Sequence, residues 1–181
     1  MEIKFYRTTE RPYGIFSNFS KHPITIDGIS YPTVEHFYQS QKFAGAPDEE
    51  EIRMALRAMD AARMGREPHR PLRLDWTYIK DEVMRLAIQA KVNQHEDVRS
   101  LLLSTSDHVI IEHSVKDHYW GDGGDGSGLN KLGIILMETR TTIRSVEGLV
   151  HCEPMQCSDV GDAGCSTTMG VAAKGTFHQA G

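Results

Sequence analysis

Asp117-His-Tyr-Trp-Gly-Asp-Gly-Gly-Asp-Gly-Ser-Gly-Leu-Asn130 leads without a break into an apolar-periodic run, Lys131 to Arg144. Five glycines and three aspartates in so short a segment oppose regular structure, because glycine raises the entropy cost of ordering and aspartate competes for backbone hydrogen bonds. The segment is expected to be a loop. Its Trp120 and carboxylates stand just before a helix N-terminus, where free backbone N–H groups offer a place for a phosphate- or sugar-bearing ligand.

Downstream, Leu132, Ile135, Leu136 and Ile143 recur at helical spacing and predict a last helix that opens at Asn130 or Lys131 and closes near Arg144. Upstream, the short β-branched run Val109 to Glu112 predicts a strand. Thr77 to Gln94 predicts a helix with Ile79, Val83, Leu86, Ala87 and Ala90 inward, and Glu96 to Leu103 extends or follows it. Asp48 to Met64 predicts another, with Ile52, Ala55, Leu56 and Met59 inward and three glutamates opposing the dipole in its first turn. Val34 to Ala44 predicts the first helix, capped by the Thr33 hydroxyl. Ile3 and Phe5 alternate with polar neighbours as a strand, and Thr25 to Tyr31 reads as a hairpin turning at Asp27-Gly28. The sum is an α+β fold, a helix-rich single domain with a small antiparallel sheet.

With 181 residues, 39% of them hydrophobic, the chain carries enough apolar content for one core. A net charge of −5 argues against coating nucleic acid through bulk positive charge, although a local basic patch can still hold a phosphate. No apolar run nears the roughly 20 residues that span a bilayer, and the N-terminus lacks a signal-peptide pattern. An intracellular, cytoplasmic protein with no membrane partner is expected. Cys152, Cys157 and Cys165 lack CxxC spacing, so neither a metal site nor a disulfide framework is expected. From Ser145 onward periodicity vanishes and large apolar residues thin out, so residues 1–144 read as the folded domain and 145–181 as a low-complexity, flexible tail.

Glu35, Gln39 and Lys42 fall on one face of the first helix, since offsets of four and seven residues return to nearly the same angle. Such a stripe is most often solvated surface. Against that, Glu35 follows the Thr33 cap, where the positive end of the helix dipole favours an ionised carboxylate suited to a base or nucleophile. The Lys42 side chain leans toward the N-terminus and can reach the same cavity. Asp117 and Trp120 open the glycine-rich loop; an Asp there is commonly a turn former, and a Trp there is core or a cover for an aromatic base. Trp76 reads as core first and pocket wall second, and Lys91 as a snorkelling residue or a phosphate ligand. Arg63, Arg66, His69, Arg70 and Arg73 form a basic segment that is either solvated or phosphate-facing.

Phe16-Ser-Asn-Phe19, Tyr31-Pro-Thr-Val-Glu-His-Phe-Tyr-Gln-Ser-Gln-Lys-Phe43, Asp117-x-x-Trp-Gly-x-Gly123, and Gly128-Leu-Asn-Lys-Leu-Gly-Ile-Ile-Leu-Met137 with Arg140, in that order, resemble the signature blocks of the NADAR (YbiA-like) family. With the Trp76 and Lys91 segments they span roughly residues 3 to 144. The resemblance implies an N-glycosidase that hydrolyses a ribosyl–base bond without a cofactor. Its implied substrates are ADP-ribose on guanine, in a nucleotide or in ADP-ribosylated DNA or RNA, or phosphorylated ribosylamino-pyrimidine intermediates of riboflavin synthesis. By motif position it implies Glu35 and Asp117 as an acidic catalytic pair and Lys42 as a catalytic or phosphate-facing cation. Asn18, Phe19, Gln39, Trp76, Lys91, Trp120, Gly121 and Asn130 become the implied substrate-binding set. The chemistry of the residues agrees, since breaking a ribosyl C–N bond develops oxocarbenium character that one carboxylate stabilises while a second acid activates water or protonates the base. Two other classes compete: a non-catalytic ADP-ribose or NAD reader, which has no need of paired carboxylates, and a helical interaction module, in which Glu35 and Asp117 would lie far apart.

Overall fold

The first helix, α1 (Val34–Ser40), is buried along its whole length, polar residues included. The computed structural model describes residues 1–150, with side chains through residue 147. Thr33 caps α1 as expected: its backbone is extended and its hydroxyl accepts from the His36 N–H. The chain then tightens into a 3-10 turn, Gln41–Phe43, in place of the predicted helical continuation to Ala44.

The helix expected over residues 48 to 64 is two helices, α2 (Pro47–Arg53) and α3 (Ala58–Met64). Met54 leaves helical geometry and Arg57 is extended, so α2 and α3 each turn a face to α1. Ile52 is buried as expected, whereas Leu56 and Met59 face solvent. The break also frees the Ala55 carbonyl, which accepts from His36 Nε2 at 3.1 Å; the other ring nitrogen, Nδ1, then accepts from the Thr33 hydroxyl at 2.8 Å.

Helix α4 (Trp76–Gln94) crosses the core and is followed by α5 (Glu96–Ser104). Of the face predicted inward, Ala87 is buried and Ile79, Val83 and Ala90 pack partly buried against the core, whereas Leu86 is exposed; the most buried stripe, Met84, Ala87, Ile88, Lys91 and Val92, lies to one side of it. Among the described residues the antiparallel element is only the hairpin β2 (Ile24–Ile26) and β3 (Ile29–Tyr31), turning at Asp27 and Gly28, both at positive φ. Strand β1 (Glu2–Phe5) does not join it; it pairs in parallel with β4 (Val109–Glu112), Phe5 opposite Glu112. The last helix, α6 (Lys131–Val150), runs six residues past the predicted stop at Arg144. The remainder of the segment read as a flexible tail lies outside the described residues. No helix among the described residues is long and apolar enough to cross a membrane.

Two buried cations fasten these elements. Arg140 on α6 donates to the Thr105 hydroxyl and the His108 carbonyl, tying α6 to the turn before β4. Lys91 is neither snorkelling nor free for a phosphate: its ammonium donates to the Ile15 and Ser17 carbonyls and to the Ser20 hydroxyl. It thereby fixes the segment that carries Asn18 and Phe19. Lys91→Met keeps the bulk but orphans those carbonyls, and urea unfolding should show a loss of roughly 2–4 kcal/mol.

Candidate active site

Glu35 and Gln39 stand one turn apart on α1, both almost wholly buried, with Gln39 Nε2 donating to Glu35 Oε1 at 2.7 Å. The polar stripe is therefore interior, not solvated surface. It opens into a cavity of about 350 Å3 whose wall also includes Asn18, Phe19, Lys42, Trp76, Asp117 and Trp120. Thus the structure brings together eight of the eleven residues that the sequence assigned to catalysis or substrate binding. Gly121, Asn130 and Lys91 are not among its lining residues.

Each of those three has another task. Asn130 sits at positive φ and stitches the loop to β4, its Oδ1 accepting from Glu112 N and its Nδ2 donating to Ile110 O. The Gly121 carbonyl accepts from Asn130 N, and a side chain there would collide with the Glu112 carbonyl. Lys131 N and Leu132 N donate to the Tyr119 and Trp120 carbonyls, so the loop itself takes up the first-turn N–H groups that the sequence offered to a ligand.

Asp117 combines both of its sequence readings. Its Oδ1 accepts from Tyr119 N and Trp120 N, a turn that fixes the loop, while the residue still lines the cavity. Trp120 and Trp76 flank Tyr38, with ring centroids 5.3 and 5.1 Å from it. Tyr119 packs edge-on to Trp120, its hydroxyl donates to Asp81, and Lys80 Nζ lies 3.6 Å from its ring centroid. Of the basic segment only Arg66 reaches the cavity. Arg70 is consumed by Asp48, Glu51 and Glu67, Arg73 by Asp75, and Arg63 approaches Asp60.

Glu112, at the end of β4, reads from sequence only as a strand residue, yet it is a third carboxyl in the same cavity. Burial pushes it up to about 8, and the neighbouring Asp117, Glu35 and Asp122 reinforce the shift. Burial likewise raises Glu35, against the Gln39 hydrogen bond and the Arg66 and Lys42 cations, with Asp117 adding to the rise. The helix dipole expected to keep Glu35 ionised is thus outweighed by desolvation. Lys42 is pulled down to about 8 by burial, which Glu35 opposes and Arg66 assists. Its ammonium donates to the Gly65 carbonyl at 2.9 Å, and a side chain at Gly65 would collide with Gln39. Among the described residues no group of three or more His, Cys, Asp or Glu is arranged to hold a metal.

Four buried side-chain polar atoms among the described residues lack a partner, and three of them belong to this cavity: Asn18 Oδ1, Gln39 Oε1 and Glu112 Oε2. An unpaired buried polar atom costs free energy, so three among the residues of one cavity wall concentrate unmet hydrogen-bonding capacity there.

Comparison with known proteins follows the same lines. The NADAR domain model matches residues 4–144. The chain is 50% identical over 138 residues to the N-glycosidase YbiA of Escherichia coli (strain K12), covering 76% of this chain and 86% of that one. It is 42% identical over 142 residues to a riboflavin biosynthesis protein of Vibrio vulnificus (strain YJ016), covering 78% of this chain and 38% of that longer one. An NMR structure of the E. coli protein YbiA superposes with a TM-score of 0.76 at 46% identity, over 86% of this chain and 94% of that one.

The raised Glu112 carboxyl has a consequence for stability. Between the ordinary value of 4.5 and about 8 the folded protein keeps a proton that the unfolded chain releases, so this group's contribution falls as pH rises through that window. Glu112→Gln should match the wild type near pH 5 and exceed it in stability by about 2–4 kcal/mol near pH 9, read by thermal or urea unfolding across pH.

Proposed function

The chain belongs to the NADAR domain family, and from that premise we propose that it is a hydrolase of N-glycosyl bonds that cleaves ribose from a base. The observation that carries this is the cavity itself: three carboxyls, two lysines and two indoles, with three unpartnered polar atoms in its wall residues. About 350 Å3 lies at the lower end of ligand pockets, roughly 300–1,000 Å3, and fits one ribosyl unit with its phosphate toward the mouth. Lys42, Arg66 and Lys80 supply positive charge there.

In this reading the Trp76 and Trp120 rings wall the ribose, and Asn18 Oδ1 and Gln39 Oε1 accept from its hydroxyls. Glu35 stands beside the anomeric carbon and, in its ionised form, stabilises the oxocarbenium charge, the Lys42 and Arg66 cations and the Gln39 hydrogen bond favouring that form against burial. The C1′–N bond breaks with its electron pair going to the base nitrogen, which takes the Glu112 proton. Water adds its oxygen to C1′ and passes a proton to Asp117. The softened Lys42 amine supports a second route, in which Nζ attacks C1′, the base leaves with the Glu112 proton, the sugar ring opens to an imine, and water hydrolyses it.

Two substrates share this chemistry. ADP-ribosylated guanine suits the paired carboxylates and the basic rim. The phosphorylated ribosylamino-pyrimidine of riboflavin synthesis is favoured by the likeness to the Vibrio vulnificus riboflavin biosynthesis protein. Incubating the protein with an ADP-ribosylated guanine oligonucleotide and, in parallel, with the ribosylamino-pyrimidine phosphate should release base from at least one. Glu35→Gln should lower the rate by about 100-fold or more. Because Glu112 must be protonated to act as the acid, the rate should decline as pH rises through about 8, and Glu112→Gln should lose that decline together with most of the activity. Full activity in Glu35→Gln, or release from neither substrate, overturns the reading. Borohydride added during turnover should trap an adduct absent in Lys42→Ala if the imine forms, and no adduct if water attacks directly.

A further inference from the structure

Trp76, Lys80 and Met84 follow one another at four-residue spacing along α4 and line the cavity. Asp81, next to Lys80, is not among the lining residues, yet its carboxylate joins α4 to the loop that brings Asp117 and Trp120. Its Oδ1 accepts from the Tyr119 hydroxyl at 2.5 Å, and its Oδ2 lies 3.2 Å from Lys131 Nζ. Lys131 N donates in turn to the Tyr119 carbonyl at 3.1 Å, which closes a ring of three residues around the carboxylate.

The roles in this ring are set by its charges. Burial first, and then the Asp81 hydrogen bond, pushes the Tyr119 hydroxyl up to about 12, so it is a donor throughout the neutral range. Against the burial that would raise it, the Tyr119 hydroxyl and the Lys131 ammonium hold the Asp81 carboxyl below its ordinary value, so it is an ionised acceptor. A hydroxyl that donates to a carboxylate makes a stronger bond than a neutral pair. Tyr119 carries this hold into the cavity: its ring packs edge-on to the Trp120 indole with centroids 5.1 Å apart, and Lys80 Nζ sits 3.6 Å from its centroid. Asp117 fixes the backbone of the same stretch, accepting from Tyr119 N and Trp120 N, whereas the tyrosine side chain is fixed from α4.

We propose that Asp81 is a positioning residue of the site: by holding the Tyr119 hydroxyl it sets where the Trp120 indole and the Lys80 ammonium stand, and so the shape and charge of the wall that meets the ribosyl group. The inference rests on the N-glycosidase reading for what that wall binds. The bonds of Asp81 go to Tyr119 and Lys131, not to Glu35, Glu112, Asp117 or Lys42, so its loss weakens binding and spares the chemical step.

The test compares the wild type with Asp81→Ala, Asp81→Asn and Lys131→Met. Base release, from whichever ribosyl substrate the wild type cleaves, is resolved into kcat and KM. The chain has two tryptophans, Trp76 and Trp120, and their indole N–H signals are followed by NMR in the ligand-free proteins. Asp81→Ala should raise KM about tenfold with kcat within about twofold, and should displace the Trp120 signal while that of Trp76 stays. Asp81→Asn keeps an Oδ1 that accepts from the Tyr119 hydroxyl, and Lys131→Met removes only a partly exposed ion pair. Both should hold KM within about threefold of the wild type and leave the Trp120 signal in place. If Asp81→Ala does not fold, Tyr119→Phe deletes the same hydrogen bond and should show the same rise in KM and the same displaced signal. An unmoved Trp120 signal in the variant that lacks this bond overturns the proposal, as does a fall in kcat without the rise in KM, or an equal effect in Asp81→Asn or Lys131→Met. A wild type that releases base from neither substrate removes the N-glycosidase reading instead, and the indole signals then decide by themselves whether Asp81 places Trp120.

Discussion

Everything in this molecule turns on keeping charged and polar groups of α1 out of water. A helix whose seven residues are all buried would ordinarily be apolar, yet this one carries Glu35, His36, Gln39 and Ser40 into the interior. Their hydrogen bonds are met piecemeal: His36 by Thr33 and Ala55, Ser40 by the Phe37 carbonyl, Glu35 by Gln39. Of α1's side-chain polar atoms, Gln39 Oε1 stays without a partner, in a residue that lines the cavity. The division of α2 from α3 and the buried Lys91 both serve that arrangement, the first by releasing a carbonyl to His36 and the second by pinning the Asn18–Phe19 segment against the cavity.

Desolvation also explains why three carboxyls share one cavity without tearing it apart. Ionised together they would repel strongly in a low-dielectric site. Burial holds Glu112 at about 8, so that carboxyl keeps its proton near neutrality, and burial raises Glu35 as well. The same dryness softens Lys42 into a partly neutral amine. One physical cause thus gives the cavity a carboxyl that keeps its proton and an amine that is partly neutral at the same pH.

Much of this is legible in the sequence, and the limits are instructive. Helix existence and the irregular loop follow from local periodicity and composition, and those elements stand. The break at Met54 to Arg57 is not legible, because Leu56 and Met59 continue the helical spacing and only packing against α1 decides that they face out. The pairing of β1 with β4 is hidden for a similar reason: two strands more than a hundred residues apart leave no local trace of their partnership. At the site, the Glu35–Gln39–Lys42 stripe is visible as spacing, but its burial is not. Glu112 escapes notice because a single carboxylate closing a β-branched strand looks like an ordinary solvated end, and its role depends on Asp117 and Glu35 arriving from elsewhere. Lys91 and Asn130 mislead in the opposite sense. Both are polar residues whose partners are mainly backbone carbonyls or N–H groups, contacts that a side-chain pattern cannot display.

The direct measurement is a carboxyl titration of the ligand-free protein, following the side-chain carbons of Glu35 and Glu112 by NMR. Desolvation as the organising force requires Glu112 to titrate at about 8 and Glu35 clearly above the ordinary glutamate value of 4.5. If both carboxyls titrate at that ordinary value, the cavity is wet, its acids are ionised at neutral pH, and desolvation organises neither the fold around α1 nor the chemistry of the site.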